Sequence, residues 1–225
     1  MITWSDESGE LWGIVVAGGS GARFGQRKQL LELAGERVID RALDALRPFV
    51  SALVAVLPPD AVAEEPPTEG VLLVAGGGSR SASVRAGLAA LPGSATHVLI
   101  HDAARPLADH ALIQRVVDAL AGAEAVVPVV PVTDTLRRLT GGSANRDEFV
   151  AVQTPQGFEL TALRAAHADG SEASDDATLI DALGGHVVHV EGDSSNIKIT
   201  SPHDLVVAEA LLSMRSTRPS VGSRP

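Results

Sequence analysis

The chain has 225 residues, no cysteine, 45% hydrophobic residues and a formal net charge of −10. That length buries a substantial core and suits one large α/β domain. The absence of thiols excludes disulfide frameworks and thiolate metal sites, and the acidic balance excludes broad nucleic-acid binding, which needs a basic face to displace counterions. No apolar run approaches the ~20 residues of a membrane-spanning helix, and residues 1–11 are too acidic and polar for a signal peptide, so the chain reads as cytoplasmic.

In chain order, short apolar runs predict strands at 13–17, 52–57, 71–75, 97–100, 125–130 and 186–190. Helical spacing of apolar residues predicts helices at 38–46, 83–91 and 111–120. Strand and helix in alternation imply an α/β, Rossmann-like fold in three layers, with a mainly parallel sheet covered on both faces. Ligands of such sheets sit outside the carboxyl ends of the strands, which directs attention to the loops after Val16, Ala75 and Ile100.

The first of these loops is Ala17-Gly18-Gly19-Ser20-Gly21-Ala22-Arg23, followed by Arg27-Lys28-Gln29. Glycines after a buried strand expose backbone N–H groups, and the cations beyond add positive charge, which together make a phosphate cradle. It is not a P-loop, since Lys and Ser or Thr do not follow the second glycine, and Phe24 stands where a dinucleotide fingerprint needs its third glycine. The second loop, Gly76-Gly77-Gly78-Ser79-Arg80-Ser81-Ala82-Ser83, lies before a predicted helix and offers Ser79, Ser81 and Ser83 as N-cap candidates. Beside the first loop it forms a second wall of one cleft.

The third loop follows Val98-Leu99-Ile100 and reads His101-Asp102-Ala103-Ala104-Arg105-Pro106. A single carboxylate past the end of a buried strand, facing two glycine loops, is a suitable contact for Mg²⁺, which completes its shell with water and phosphate oxygens. Asp102 is the expected metal-side residue. His101 reads as a packed structural imidazole rather than a general base, and Arg105 is expected to pair with a carboxylate or cap a helix. Between 131 and 152, two extended runs flank the turn Gly141-Gly142-Ser143-Ala144-Asn145, so a hairpin arm is expected to project from the domain. Lys198 stands in a short apolar run and needs a partner or a ligand. Residues 216–225 read as a disordered tail.

The glycine loop with Arg23, the Lys28-Gln29 pair, Ile100-His101-Asp102-Ala103-Ala104-Arg105, Thr154-Pro155-Gln156-Gly157-Phe158, Asp175-Asp176-Ala177 and Asn196-Ile197-Lys198 occur in one order. In that order the chain resembles the 2-C-methyl-D-erythritol 4-phosphate cytidylyltransferases from about Leu11 to Leu212, within a single domain expected at 11–215. The resemblance implies a three-layer nucleotidyltransferase fold with a β-arm that forms a homodimer. It also implies transfer of CMP from CTP to 2-C-methyl-D-erythritol 4-phosphate, with Mg²⁺, in the non-mevalonate route to isoprenoids.

Carried over residue by residue, Arg23 and Lys28 match the transition-state stabilisers. Ala17, Gly18, Gly19, Ser20, Gly21, Gly77, Gly78, Ser83, Asp102 and Ala103 match positions around CTP, and Thr135, Arg146, Thr154 and Lys198 match those that hold the acceptor. One departure stands out: only Phe24-Gly25-Gln26-Arg27 separates Arg23 from Lys28, where the family commonly has a longer loop with a proline, so Arg27 competes with Lys28 for its role. The alternatives are a ribitol-5-phosphate cytidylyltransferase, whose strand-end motif usually reads His-Asp-Ala-Val-Arg, and a non-catalytic nucleotide-binding module.

Overall fold

The computed structural model describes residues 9–17 and 31–216. The described residues build an eight-stranded sheet from β1 (Glu10–Val16), β4 (Leu53–Leu57), β5 (Val71–Ala75), β6 (Ala95–Asp102), β7 (Ala125–Pro131), β8 (Val150–Val152), β9 (Gln156–Glu159) and β10 (Val187–Glu191). Its order is β10-β7-β9-β6-β1-β4-β5, with β8 added to β7. A small separate hairpin pairs β2 (Glu32–Leu33) with β3 (Glu36–Arg37).

All six strands expected from apolar runs are present, and those that neighbour one another pair in parallel. The main interruption lies at the centre: β9 runs antiparallel between β6 and β7. No apolar alternation announces Gln156-Gly157-Phe158-Glu159, yet Gln156, Gly157 and Phe158 are all buried. Glycine suits position 157 because of close packing, since a Cβ there would stand 3.0 Å from Val116 Cγ1 on the covering helix.

Helices cover both faces. α1 (Val38–Leu46) buries Val38, Ile39, Ala42, Leu43 and Leu46, and α4 (His110–Leu120) buries Leu112, Ile113, Val116, Val117 and Leu120, the same spacing of one helical stripe. The Asp109 carboxylate caps α4 by accepting from Leu112 N at 2.8 Å. These two helices pack with Leu11, Val15, Leu53, Leu57 and Leu99 on one face of the sheet. On the other face α3 (Arg80–Ala89), α5 (Leu160–Ala166) and α6 (Ala177–Ala182) enclose Ile14, Val54, Val98, Ile100 and Phe158. A third cluster, Leu33, Val38, Leu107, Ile199 and Ala208, seats α7 (Pro202–Ser216) beside the small hairpin. A one-turn helix, α2 (Pro59–Val62), follows β4. No helix among the described residues is long and apolar enough to cross a membrane.

The expected arm is shorter in regular structure than its sequence suggests. β8 pairs with β7 only at the base, and a single bridge joins Arg137 to Ser143 near the tip. Between them the returning limb forms a 3₁₀ turn, Arg146–Glu148, in which the Asn145 side chain accepts from Asp147 N. Gly141 and Gly142 turn the tip with φ of 103° and 78°, values that glycine alone adopts without strain.

Candidate active site

Three strand ends meet at one edge of the sheet. Val16 is registered against Asp102, and Leu57 against Ala75. Ala17 N donates to Val56 O at 2.8 Å, Ala103 N to Val16 O at 3.0 Å, and Gly76 N to Leu57 O at 2.7 Å, so all three loops leave the same edge of the sheet, with β4 between the first and the second. Gly76 and Gly77 are packed closely here, since a Cβ on Gly77 would lie 2.5 Å from that of Ala82. Gly78 instead has no described residue within 4 Å of where its Cβ would stand.

Asp102 is the centre of this edge. Its Oδ2 accepts from Lys198 Nζ at 2.6 Å and its Oδ1 from Arg80 Nε at 3.2 Å. Burial alone would raise the Asp102 carboxyl, but the charges and hydrogen bonds of Arg80 and Lys198 outweigh it and hold the group well below the usual carboxylate range. The site therefore keeps a fixed negative charge between two cations. Arg80 is also held from behind, donating from Nη1 to Asp176 Oδ2 at 2.7 Å. Asp176 in turn accepts from His167 Nε2 at 3.0 Å through its other oxygen.

A second, uncharged network fixes the backbone under Asp102. Asp102 N donates to Thr154 Oγ1 at 3.0 Å, and Thr154 Oγ1 lies 2.9 Å from His101 Nδ1. His101 Nε2 lies 3.1 Å from Arg105 O, which can only accept, so Nε2 carries the proton and Nδ1 accepts from the threonine hydroxyl. Burial pushes His101 down to about 4, which keeps the imidazole neutral. With both ring nitrogens engaged it has no capacity to act as a general base. Arg105 donates from Nη1 to Asn196 O at 2.7 Å and from Nη2 to Val152 O at 3.0 Å, while Asn196 Nδ2 donates to Thr154 O at 2.9 Å. These bonds tie the Lys198 segment to the strand end.

A sequence model of the family described as 2-C-methyl-D-erythritol 4-phosphate cytidylyltransferase matches residues 11–214. The chain belongs to that family. A cytidylyltransferase of this name from Prochlorococcus marinus is 40% identical, covering 90% of this chain and 98% of its own. One from Nocardia farcinica is 42% identical, covering 94% and 98%. A bifunctional IspD/IspF enzyme from Solidesulfovibrio magneticus is 44% identical over 89% of this chain, which spans only 57% of that relative's length. Among solved structures, the cytidylyltransferase from Thermus thermophilus superposes with a TM-score of 0.79 at 41% identity, covering 89% of this chain and 98% of its own. The chain is thus an enzyme of the nucleotidyltransferase type.

The structure gathers some of the expected site residues and separates others. Asp102, Lys198 and the loop with Gly77 and Gly78 stand together, joined through Arg80. Ala17 and Ala103 lie at the same edge with their N–H groups already used in the sheet. Ser83 is buried and donates its hydroxyl hydrogen to Ser79 O at 2.8 Å, while Ser79 is the residue that caps α3. Thr154 is buried too, with its hydroxyl spent on Asp102 N and His101. Thr135 and Arg146 are exposed on the arm, where Arg146 Nη1 donates to Thr133 O at 2.7 Å. Gly18, Gly19, Ser20, Gly21, Arg23, Arg27 and Lys28 lie outside the described residues, as does the tail beyond 216.

One expectation is corrected. Among the described residues Arg105 neither hydrogen-bonds a carboxylate nor caps a helix; its guanidinium bridges two backbone carbonyls, those of Val152 and Asn196. Sequence reasoning also missed Arg80, Asp176 and His167. Arg80 carried a readable signal, because a cation in the first turn of a helix opposes the helix dipole and needs a carboxylate to compensate. Asp176 carried a weaker one. The pair Asp175-Asp176 precedes α6, and only Asp175 is used there, accepting from Thr178 N at 3.1 Å, so its neighbour is released for another task.

Proposed function

We infer that this chain transfers the cytidylyl group of CTP to 2-C-methyl-D-erythritol 4-phosphate, releasing pyrophosphate and forming 4-diphosphocytidyl-2-C-methyl-D-erythritol for isoprenoid biosynthesis. The observation that carries the reading is the ionised Asp102 held between Lys198 and Arg80 at the strand ends, in a chain that matches the family over residues 11–214. The acceptor phosphate is already anionic, so an oxygen of it can attack the α-phosphorus of CTP without a strong base, as the bond to the β-phosphate breaks and pyrophosphate departs. The obstacle is repulsion between anions, and fixed cations and N–H dipoles lower it. A neutral, fully engaged His101 agrees with a mechanism that needs no imidazole base.

Lys198 has three donors and spends one on Asp102, while 42% of its side chain stays exposed, so it can reach the acceptor phosphate from a fixed root. Arg23 and Lys28 are assigned the charge that develops at the α-phosphate, with Arg27 as the alternative to Lys28. Gly77, Gly78 and Ser83 form the nucleoside side, and Thr154 contributes by holding Asp102 in place. Mg²⁺ fits Asp102, because an ionised carboxylate beside phosphate-binding loops is a usual protein contact for that ion, and no cluster of three or more His, Cys, Asp or Glu forms a dedicated cage among the described residues. When bound there, Mg²⁺ neutralises triphosphate charge.

Thr135 and Arg146 are exposed on the arm, and we assign the working form as an isologous homodimer in which each arm completes its neighbour's site. The cysteine-free composition suits a cytoplasmic setting. Pyrophosphate release tests the activity. With CTP and Mg²⁺ it should require 2-C-methyl-D-erythritol 4-phosphate, with ATP and GTP as poor donors; equal turnover of ribitol 5-phosphate would overturn the substrate, and no release with any phosphorylated polyol would overturn catalysis.

A further inference from the structure

Behind Asp102 a chain of contacts runs inward from Arg80 to Asp176 and His167, two residues to which the reaction assigns no part. His167 Nε2 stands 3.0 Å from Asp176 Oδ1, Arg80 Nη1 donates to Asp176 Oδ2 at 2.7 Å, and Arg80 Nε donates to Asp102 Oδ1 at 3.2 Å. Asp176 is fully buried and His167 nearly so. A carboxylate oxygen cannot donate, so the hydrogen lies on His167 Nε2 and the imidazole fixes the rotation of the Asp176 carboxylate. That rotation decides where Oδ2 points. Arg80 is planar and held at two of its three nitrogens, so moving Oδ2 turns the whole guanidinium and shifts Nε against Asp102. Arg80 Nη2 is buried and has no partner among the described residues.

His167 reaches Asp102 through Asp176 and Arg80. Its bonded partner is a residue of the α6 N-terminus, and its outer side lines a cleft of about 250 Å³ with Arg85, Leu88, Ala89 and Arg164. His167 Nδ1 is buried without a partner among the described residues, an arrangement that packing alone does not reward. The single bond from Nε2 to Asp176 is therefore what the imidazole contributes.

We propose that His167 is a positioning residue of the active site: its Nε2–H orients Asp176, which sets Arg80 and through it the Asp102 carboxylate. Only the kinetic part of this inference rests on the cytidylyltransferase reading. His167→Leu removes the donor and keeps apolar bulk, and His167→Gln restores an N–H at the distance of Nε2. His167→Asn keeps a donor too short to reach Asp176, and serves the same purpose if the leucine variant fails to fold.

Per folded molecule, His167→Leu should lower kcat about tenfold while KM for CTP stays within about twofold, and His167→Gln should recover most of the loss, since supporting partners of this kind are typically worth about ten- to a hundredfold. In an Asp176→Asn background His167→Leu should add almost nothing, because both changes cut one chain. Hydrogen exchange of the Arg80 Nε–H signal in NMR supplies the second measurement and should quicken in His167→Leu and return in His167→Gln. Unchanged kcat, an unchanged Arg80 signal, or additive losses in the double variant would each overturn the proposal. If the wild-type chain turns over none of the phosphorylated polyols, the reading of function fails, and the Arg80 signal alone then decides whether His167 sets Arg80.

Discussion

The strand-end cluster and the arm carry residues matched to one substrate, yet they are built on opposite principles. Around Asp102, Thr154 is held by His101 and Asp102 N, Arg80 by two carboxylates, and Arg105 by two carbonyls. On the arm, Arg146 reaches one carbonyl, that of Thr133 on the opposite limb, while Leu139 is 108% exposed and Phe149 and Val150 are nearly half exposed. One region is fixed by its own fold, and the other has its hydrophobic side chains in water. Preorganisation of charge therefore belongs to the strand ends, and the arm leaves apolar side chains for the proposed second copy to cover.

The strand-end half of this contrast breaks first. Asp102→Asn removes the fixed negative charge and leaves Arg80 and Lys198 without their common partner, so kcat should fall by about 10²- to 10³-fold, roughly 3 to 4 kcal/mol of transition-state stabilisation. Lys198→Ala should cost a similar factor, and steady-state kinetics with both substrates would measure it. A change confined to KM for either variant would mean that the cluster only binds.

Acid should reach the same region through His101. In the unfolded chain that imidazole takes a proton near its ordinary value of 6.5, while in the fold it does so only at about 4, because burial disfavours the cation. Between those values the unfolded chain binds more protons, so stability falls as pH is lowered through the window, by on the order of 3 kcal/mol in all. Asp102 acts in a separate window. Its folded value is depressed, so its contribution is complete above the ordinary carboxylate range and is lost only below it. Urea unfolding across the pH range should show the first loss at mildly acid pH and the second at strongly acid pH, and NMR of the His101 ring should show no protonation until near pH 4. A ring that titrates at its ordinary value would refute the locked, neutral imidazole.

The arm answers to a different experiment. Arg146→Ala should raise KM for 2-C-methyl-D-erythritol 4-phosphate about tenfold or more and spare CTP binding, the cost of one charge-assisted contact. Mixed with Lys198→Ala subunits, it should regain activity if the proposed dimer forms, because a hybrid would then have one site with an intact cluster and an intact arm. No recovery after verified subunit exchange would mean that each arm serves its own chain.

The same contrast explains what the sequence disclosed. Asp102 and Lys198 were legible because a charge in or just past an apolar run has few reasons to be there. The pairing of Arg80 with Asp176 was not, since 96 residues separate them and the packing of α3 against the segment before α6 brings them together. β9 escaped because four residues between two buried strands need no alternation to be buried on both faces. α6, of six residues, is too short for a helical period to stand out. In the arm the glycine turn was legible but the pairing was not, because the ladder ends where side chains lose a core to face.

The smallest expected effect tests the arm most directly. Leu139 is fully exposed in its own chain, so Leu139→Ser in a dilute, dissociated sample should change unfolding free energy by less than about 0.5 kcal/mol, as exposed positions generally do. If the arm packs against a second copy, the same substitution must weaken association, because the apolar surface of Leu139 is then removed from water only in the dimer. Unfolding at low and high protein concentration, with sedimentation velocity for the dissociation constant, separates the two. An effect that grows with concentration assigns Leu139 to the dimer contact, whereas a variant indistinguishable from wild type at every concentration leaves the arm tip in solvent and confines association to residues nearer its base.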